Sequence, residues 1–221
     1  MLDARNVKLV IFDLDGTLVD TQPDIIRSAQ YVIQEFGFTP RDDAYIVRSI
    51  GGGATNLVRR IAPDCGDAVI NAALAVFKQH YLEHCSETSP LYPGAEEVLR
   101  YLQTIGAGIS LATMKLRAAT LKILQDLHID RYFQCMLCVD DLERPKPDPE
   151  CVYRLLDAFG CKHDEAIIAG DAATDIQTGK NGGIHTCGAL YGYGLPQDIL
   201  SQKPEYTIER LEDFVRLFEK K

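Results

Sequence analysis

Residues 7–20 read Val7-Lys-Leu-Val-Ile-Phe12-Asp13-Leu-Asp15-Gly-Thr17-Leu-Val-Asp20. The stretch from Val7 to Phe12 is short, apolar and rich in β-branched residues, which predicts a strand buried on both faces. Asp13 and Asp15 follow it at once. In an open parallel sheet the carboxyl edge of the strands is where ligands bind, so a strand that ends in two acids and a glycine places a polar turn at that edge. One acid can then serve as an ionised nucleophile or metal ligand while the other works as acid and base. A calcium loop of the EF-hand type is excluded, because its glycine stands sixth and is flanked by helices, whereas Gly16 stands fourth and follows a strand.

Further apolar runs occur at Gly108–Thr113, Met136–Val139, Ala166–Ala169 and Ile184–Cys187. Helix-period stretches lie between them at Gly94–Ile105, Arg117–Leu127, Pro149–Phe159 and Ala173–Lys180, with Gly106, Gly160 and Gly182 placed as left-handed helix terminators. This alternation predicts an α/β fold, a Rossmann-like parallel sheet with helices on both faces. Residues 20–87 break the pattern. Four helical stretches, Pro23–Phe36, Asp42–Ser49, Ala54–Ile61 and Asp67–His84, follow one another with no strand between them. That is too long for a crossover. It predicts an inserted all-helical cap over residues 18–87, with residues 1–17 and 88–221 forming the core. Tyr206–Ile208 and Leu211–Phe218 read as a closing strand and helix.

The chain of 221 residues carries 32 acidic and 23 basic side chains, a net charge of −9. That balance argues against nucleic acid or an anionic membrane as partner, since either calls for a basic patch. No run of about 18 apolar residues suggests a membrane span, and Met1–Asn6 carries no apolar leader, so a cytoplasmic location is expected. The seven cysteines are scattered and odd in number, and are expected as buried, reduced thiols. Cys135 and Cys138 would point to opposite faces of a strand and have no second pair at zinc-ligand spacing. His80 and His84 share a helix face without the zinc-protease order, and Gly51–Gly53 lack the lysine of a P-loop.

Two other segments bear on the first. Asp171, in Gly170-Asp-Ala-Ala-Thr-Asp175, ends one predicted strand, and Asp175 follows in the first turn of a helix. Four carboxylates at one sheet edge would repel strongly without a divalent cation, and hard oxygen donors with room for water favour Mg²⁺. In Pro145-Lys-Pro147-Asp-Pro149, prolines stiffen the backbone around Lys146 and aim its ammonium as a counter-charge for a phosphoryl group. Thr113, at the end of the second predicted strand, offers a hydroxyl to the same oxygens.

Together these segments resemble the haloacid-dehalogenase-like (HAD) hydrolase superfamily along the whole chain. Within it the sequence looks most like the phosphoglycolate phosphatases, through Phe12–Asp20 with Pro23-Asp24, Arg48-Ser-Ile-Gly-Gly-Gly53, Tyr92-Pro-Gly94, Lys146–Pro149 and Tyr191-Gly-Tyr-Gly194. The resemblance implies a Mg²⁺-dependent phosphatase acting on a small phosphorylated metabolite, with 2-phosphoglycolate the favoured candidate. It makes Asp13 the nucleophile that forms a phosphoaspartate. Asp15 becomes the acid and base, contributing its backbone carbonyl to the metal. Thr113 and Lys146 hold the phosphoryl group, while Asp171 and Asp175 complete the metal site. In the cap, Arg48 and the Gly51-Gly52 loop are expected to meet the substrate, with Arg60 as a second cation. Two positions depart from the pattern. Met114 stands where these phosphatases usually have Asn, and Ala172 replaces the usual Ser or Thr. Both are expected to alter substrate choice rather than remove activity. A phosphomutase, a pyrophosphatase and a catalytically weak binding protein are the alternative readings.

Overall fold

A computed structural model describes residues 6–218. Met1–Arg5, most of the stretch read above for an apolar leader, lie outside the described residues. Six parallel strands form one sheet: β1 (Leu9–Phe12), β2 (Gly108–Ala112), β3 (Cys135–Leu137), β4 (Ala166–Gly170), β5 (His185–Ala189) and β6 (Tyr206–Ile208). Their order is β3-β2-β1-β4-β5-β6. All four residues of β1 are buried. Val10 and Phe12 face one core cluster, in which Phe12 packs on Phe214 with ring centroids 5.2 Å apart. Leu9 and Ile11 face the other, with Cys151, Val152 and Leu155. Burial on both faces explains why the strand reads as a continuous apolar run.

Helices connect and cover the strands. The first four, α1 (Gln22–Glu35), α2 (Asp43–Ser49), α3 (Ala54–Ile61) and α4 (Asp67–His84), pack chiefly on one another. The sheet is flanked by α5 (Ala95–Thr104), α6 (Arg117–Asp126), α7 (Glu150–Phe159), α8 (Ala173–Asn181) and α9 (Pro196–Ser201). The connectors into and out of the four-helix insert run side by side. The Asp20 N–H donates to the Pro90 carbonyl at 2.9 Å, and the Tyr92 N–H to the Leu18 carbonyl at 2.9 Å.

Several details differ from the sequence reading. The third strand starts one residue earlier and ends two earlier, because Cys138 caps a 3₁₀ segment that occupies Val139–Asp141. The closing segment Leu211–Leu217 is 3₁₀ rather than α-helical, and α9 was not anticipated at all. The left-handed residue after α8 is Gly183, φ +68°, while Gly182 stays right-handed. All seven cysteines are free, but only Cys85, Cys138, Cys151 and Cys187 are buried; Cys65, Cys135 and Cys161 are half-buried. Among the described residues no helix is long and apolar enough to cross a membrane.

Candidate active site

The chain runs from β1 outward through β2 to β3, then returns to the other side of β1 for β4. The switch point therefore lies between β1 and β4, and a crevice opens there beyond the strand ends. Asp13 follows β1 and Asp171 follows β4, so the topology brings together acids 158 residues apart. Asp175, in the first turn of α8, completes a buried trio. Carboxylate oxygens of Asp13, Asp171 and Asp175 all lie within 4.8 Å of one another.

Lys146 closes on two members of this trio. Its Nζ lies 2.9 Å from Asp13 Oδ1 and 2.5 Å from Asp175 Oδ1, with the side chain only 2% exposed. Burial lowers the lysine pKa, but Asp13 and Asp175 more than offset that and hold it above the ordinary lysine value. One ammonium cannot neutralise three carboxylates. Burial, moderated by Lys146 but reinforced by Asp175 and Asp15, pushes Asp13 up to about 7. Burial together with Asp13 and Asp175 pushes Asp171 up to about 8.

Each acid is held in place. Asp171 accepts from the Thr17 hydroxyl at 3.0 Å and from the Tyr193 N–H at 2.7 Å. Asp175 Oδ2 accepts from the Ala172 N–H at 3.0 Å, so residue 172 contributes its backbone although it lacks a hydroxyl. Gly16, at φ +79°, lets the turn after β1 pass so close to Asp171 that a Cβ there would overlap its carboxylate. A surplus of buried negative charge, raised pKa values and hard oxygen donors together fit a divalent cation among Asp13, Asp171 and Asp175.

The Asp15 side chain is directed elsewhere. Its Oδ1 accepts from the Thr21 hydroxyl at 2.6 Å and pairs with Lys115 Nζ at 3.0 Å. It is not part of the close trio, so a metal role for Asp15 is left to its backbone. Thr113, at the end of β2, is buried and lines the same cavity. That cavity has a volume of about 550 Å³ and reaches from the acids into the helical insert. Gly51, Gly52 and Gly53, all at positive φ between α2 and α3, form part of its wall. A Cβ on Gly53 would stand 3.6 Å from the Met114 carbonyl oxygen, so this loop lies directly on the core.

Arg48 and Arg60 are not brought to the site. Both are exposed and neither lines the cavity; Arg60 donates instead to the Ser49 carbonyl at 3.0 Å. Helix periodicity turns Ile46 and Ser49 inward, which leaves Arg48 on the outer side of α2. Sequence reasoning missed Lys115, buried against Asp15 and bonded to the Tyr81 hydroxyl at 2.7 Å. Its only signal was a cation two residues after Thr113. It also assigned no role to Tyr193, whose hydroxyl accepts from the Gln22 N–H at 3.0 Å and lies 3.1 Å from Asp20 Oδ1.

The sequence model for haloacid dehalogenase-like hydrolases matches residues 10–189. The chain belongs to this family. The hydrolase is 31% identical to phosphoglycolate phosphatase 1 of Pseudomonas aeruginosa, over 96% of its own length and 80% of that protein. It is 30% identical to the pyrophosphatase PpaX of Halalkalibacterium halodurans, over 95% of each chain. A crystal structure described as that of a predicted phosphoglycolate phosphatase from Haemophilus somnus superposes with a TM-score of 0.92, covering 97% of this chain and 99% of that one at 27% identity. The hydrolase is thus an enzyme of the phosphoric-monoester type by family, with the α/β core and capping insert of that fold.

Proposed function

We propose that this hydrolase is a Mg²⁺-dependent phosphatase of small phosphomonoesters in the cytoplasm, working through a phosphoaspartate on Asp13. The observation that carries the reading is the placement of Asp13 at the floor of the cavity. Its carboxylate is gripped by Lys146 and faces two further buried acids. Asp13, Asp171 and the Asp15 carbonyl would hold the cation, with Asp175 supporting them. The bound cation supplies positive charge against the transferring oxygens, where most phosphoryl-transfer catalysis resides.

The protein's own groups divide the remaining work. Lys146 and Thr113 orient the phosphoryl group, and an Asp13 oxygen attacks phosphorus. Asp15, fixed by Thr21 and Lys115, stands beside the same cavity to protonate the departing alcohol and then to take a proton from water. The insert over residues 18–87 serves as the cap that excludes bulk water. Incubation with acetyl phosphate or a substrate ester, followed by acid quench, should trap an acyl phosphate that maps to Asp13. The same label should be absent in Asp13→Asn, and a label on any other residue refutes the reading. The pyrophosphatase reading rests on the PpaX likeness, and inorganic pyrophosphate therefore belongs beside the monoesters in the substrate panel.

A further inference from the structure

We propose that the cap side of this cavity selects phosphomonoesters whose alcohol is apolar, a branched or cyclic hydrocarbon, over esters bearing a second charge such as 2-phosphoglycolate. The inference rests on the phosphatase reading and narrows its substrate class.

Size and lining both point this way. A cavity of about 550 Å³ falls within the range of roughly 300–1,000 Å³ typical of sites for drug-sized ligands, well beyond what a two-carbon acid needs. Beyond the acids its wall is formed by Ile50, Leu57, Phe77, Met114, Leu116 and Val139. Leu57 and Phe77 are 3% and 4% exposed, so they are fixed parts of the cap rather than adaptable surface. Of the polar wall residues contributed by the cap, Thr55, Lys78 and Gln79 are exposed and sit at the rim, while the buried Tyr81 turns its hydroxyl to Lys115.

Charge decides the matter. A carboxylate taken into this compartment gives up its hydration and requires a cation or several N–H donors in exchange. Within the buried part of the cavity both cations are already committed, Lys146 to Asp13 and Asp175, and Lys115 to Asp15 and the Tyr81 hydroxyl. The remaining wall cation, Lys78, and the Gly51 and Gly52 N–H groups are exposed at the rim, where a carboxylate keeps its water and gains little by binding. Arg48 and Arg60 lie outside it. Met114 presents a thioether to the cavity, a flexible apolar filler with no donor to offer. A hydrocarbon leaving group needs no partner, and its burial is favourable in proportion to its area.

The reaction itself is unchanged. The Asp13 carboxylate displaces ROH from ROPO₃²⁻, with the proton supplied by Asp15; water then cleaves the acyl phosphate to inorganic phosphate and gives a proton back to Asp15. Selectivity arises where R sits.

The test is kcat/KM of the full chain with Mg²⁺ on ethyl, butyl, hexyl and cyclohexylmethyl phosphates, whose alcohols have nearly equal basicity. 2-Phosphoglycolate and pyrophosphate are run beside them. Burial at the usual worth of a methylene predicts a rise of roughly fourfold per CH₂ until the compartment is filled, with hexyl phosphate at least tenfold above 2-phosphoglycolate. Leu57→Asn and Met114→Asn should each lower the hexyl-to-ethyl ratio, a quotient unaffected by the fraction of folded enzyme. A flat series, or 2-phosphoglycolate or pyrophosphate as the best substrate, overturns the proposal while leaving the phosphatase reading intact. Failure to hydrolyse any ester, with no trapped acyl phosphate on Asp13, overturns both.

Discussion

Lys146 carries two obligations that a neutral side chain could not meet. It holds Asp13 and Asp175 in one cluster, and it presents positive charge to whatever enters. Breaking a buried pair by removing one partner typically destabilises by about 3–5 kcal/mol. Lys146→Met should therefore lower the melting temperature in EDTA and reduce kcat by at least about a hundredfold. Added Mg²⁺ should recover part of the lost stability but not the rate, and a variant that melts like the parent in EDTA would contradict this account. Sequence made Asp13, Asp15, Lys146, Asp171 and Asp175 legible because each sits beside a strand end or a proline-stiffened loop, where local pattern fixes direction. Arg48 and Arg60 misled because a basic residue near a glycine loop says nothing about which side of its helix faces the cleft. Lys115 went unseen because its partners, Asp15 and Tyr81, are brought to it only by the folded chain.

At the scale of elements, the segment after β5 ties the catalytic edge to the root of the cap. The Tyr193 N–H binds Asp171, while its hydroxyl caps the start of α1 at Gln22 and reaches Asp20. Burial raises the Tyr193 pKa, so the phenol stays protonated and can donate as well as accept. Tyr193→Phe would strand backbone N–H groups at the beginning of α1, a loss of about 1–3 kcal/mol. The expected result is a lower melting temperature and faster amide exchange over residues 20–25, with the Mg²⁺ affinity of the aspartate trio little changed. Exchange that is slowed or unaltered there would count against this coupling. The eight longer helices were readable from apolar period and glycine stops to within about one residue at each end. Helix α9 was not, because its six residues are too few for periodicity to separate from chance. The segment at Leu211–Leu217 was read as a helix without its 3₁₀ winding, which apolar spacing over two turns does not distinguish.

For the whole molecule, the buried acids make stability depend on pH and metal together. The folded protein holds Asp13 at about 7 and Asp171 at about 8, against roughly 3.9 for an unfolded aspartate. Between these values the native state binds more protons than the unfolded one, so metal-free stability is greatest at the acid end and falls as pH rises through the folded values. In EDTA the melting temperature should drop by several degrees from pH 6 to pH 8.5. A divalent cation held by the ionised acids would remove the repulsion, so the stabilising shift on adding Mg²⁺ should grow over the same interval. Thermal scans at four pH values with and without Mg²⁺ would show it, and a Mg²⁺ shift that shrinks with pH would be incompatible with the site described.

The pairing of the two cap connectors reaches beyond catalysis. Since the Asp20 N–H meets the Pro90 carbonyl, the points where the insert departs and returns are separated by a single hydrogen bond, a gap that a tight turn could close. Everything between them is, for the core, one long graft on a hairpin stem. Replacing the graft by a short turn between Asp20 and Pro90 would therefore leave the strands and the acids at their ends with the same supports they have now.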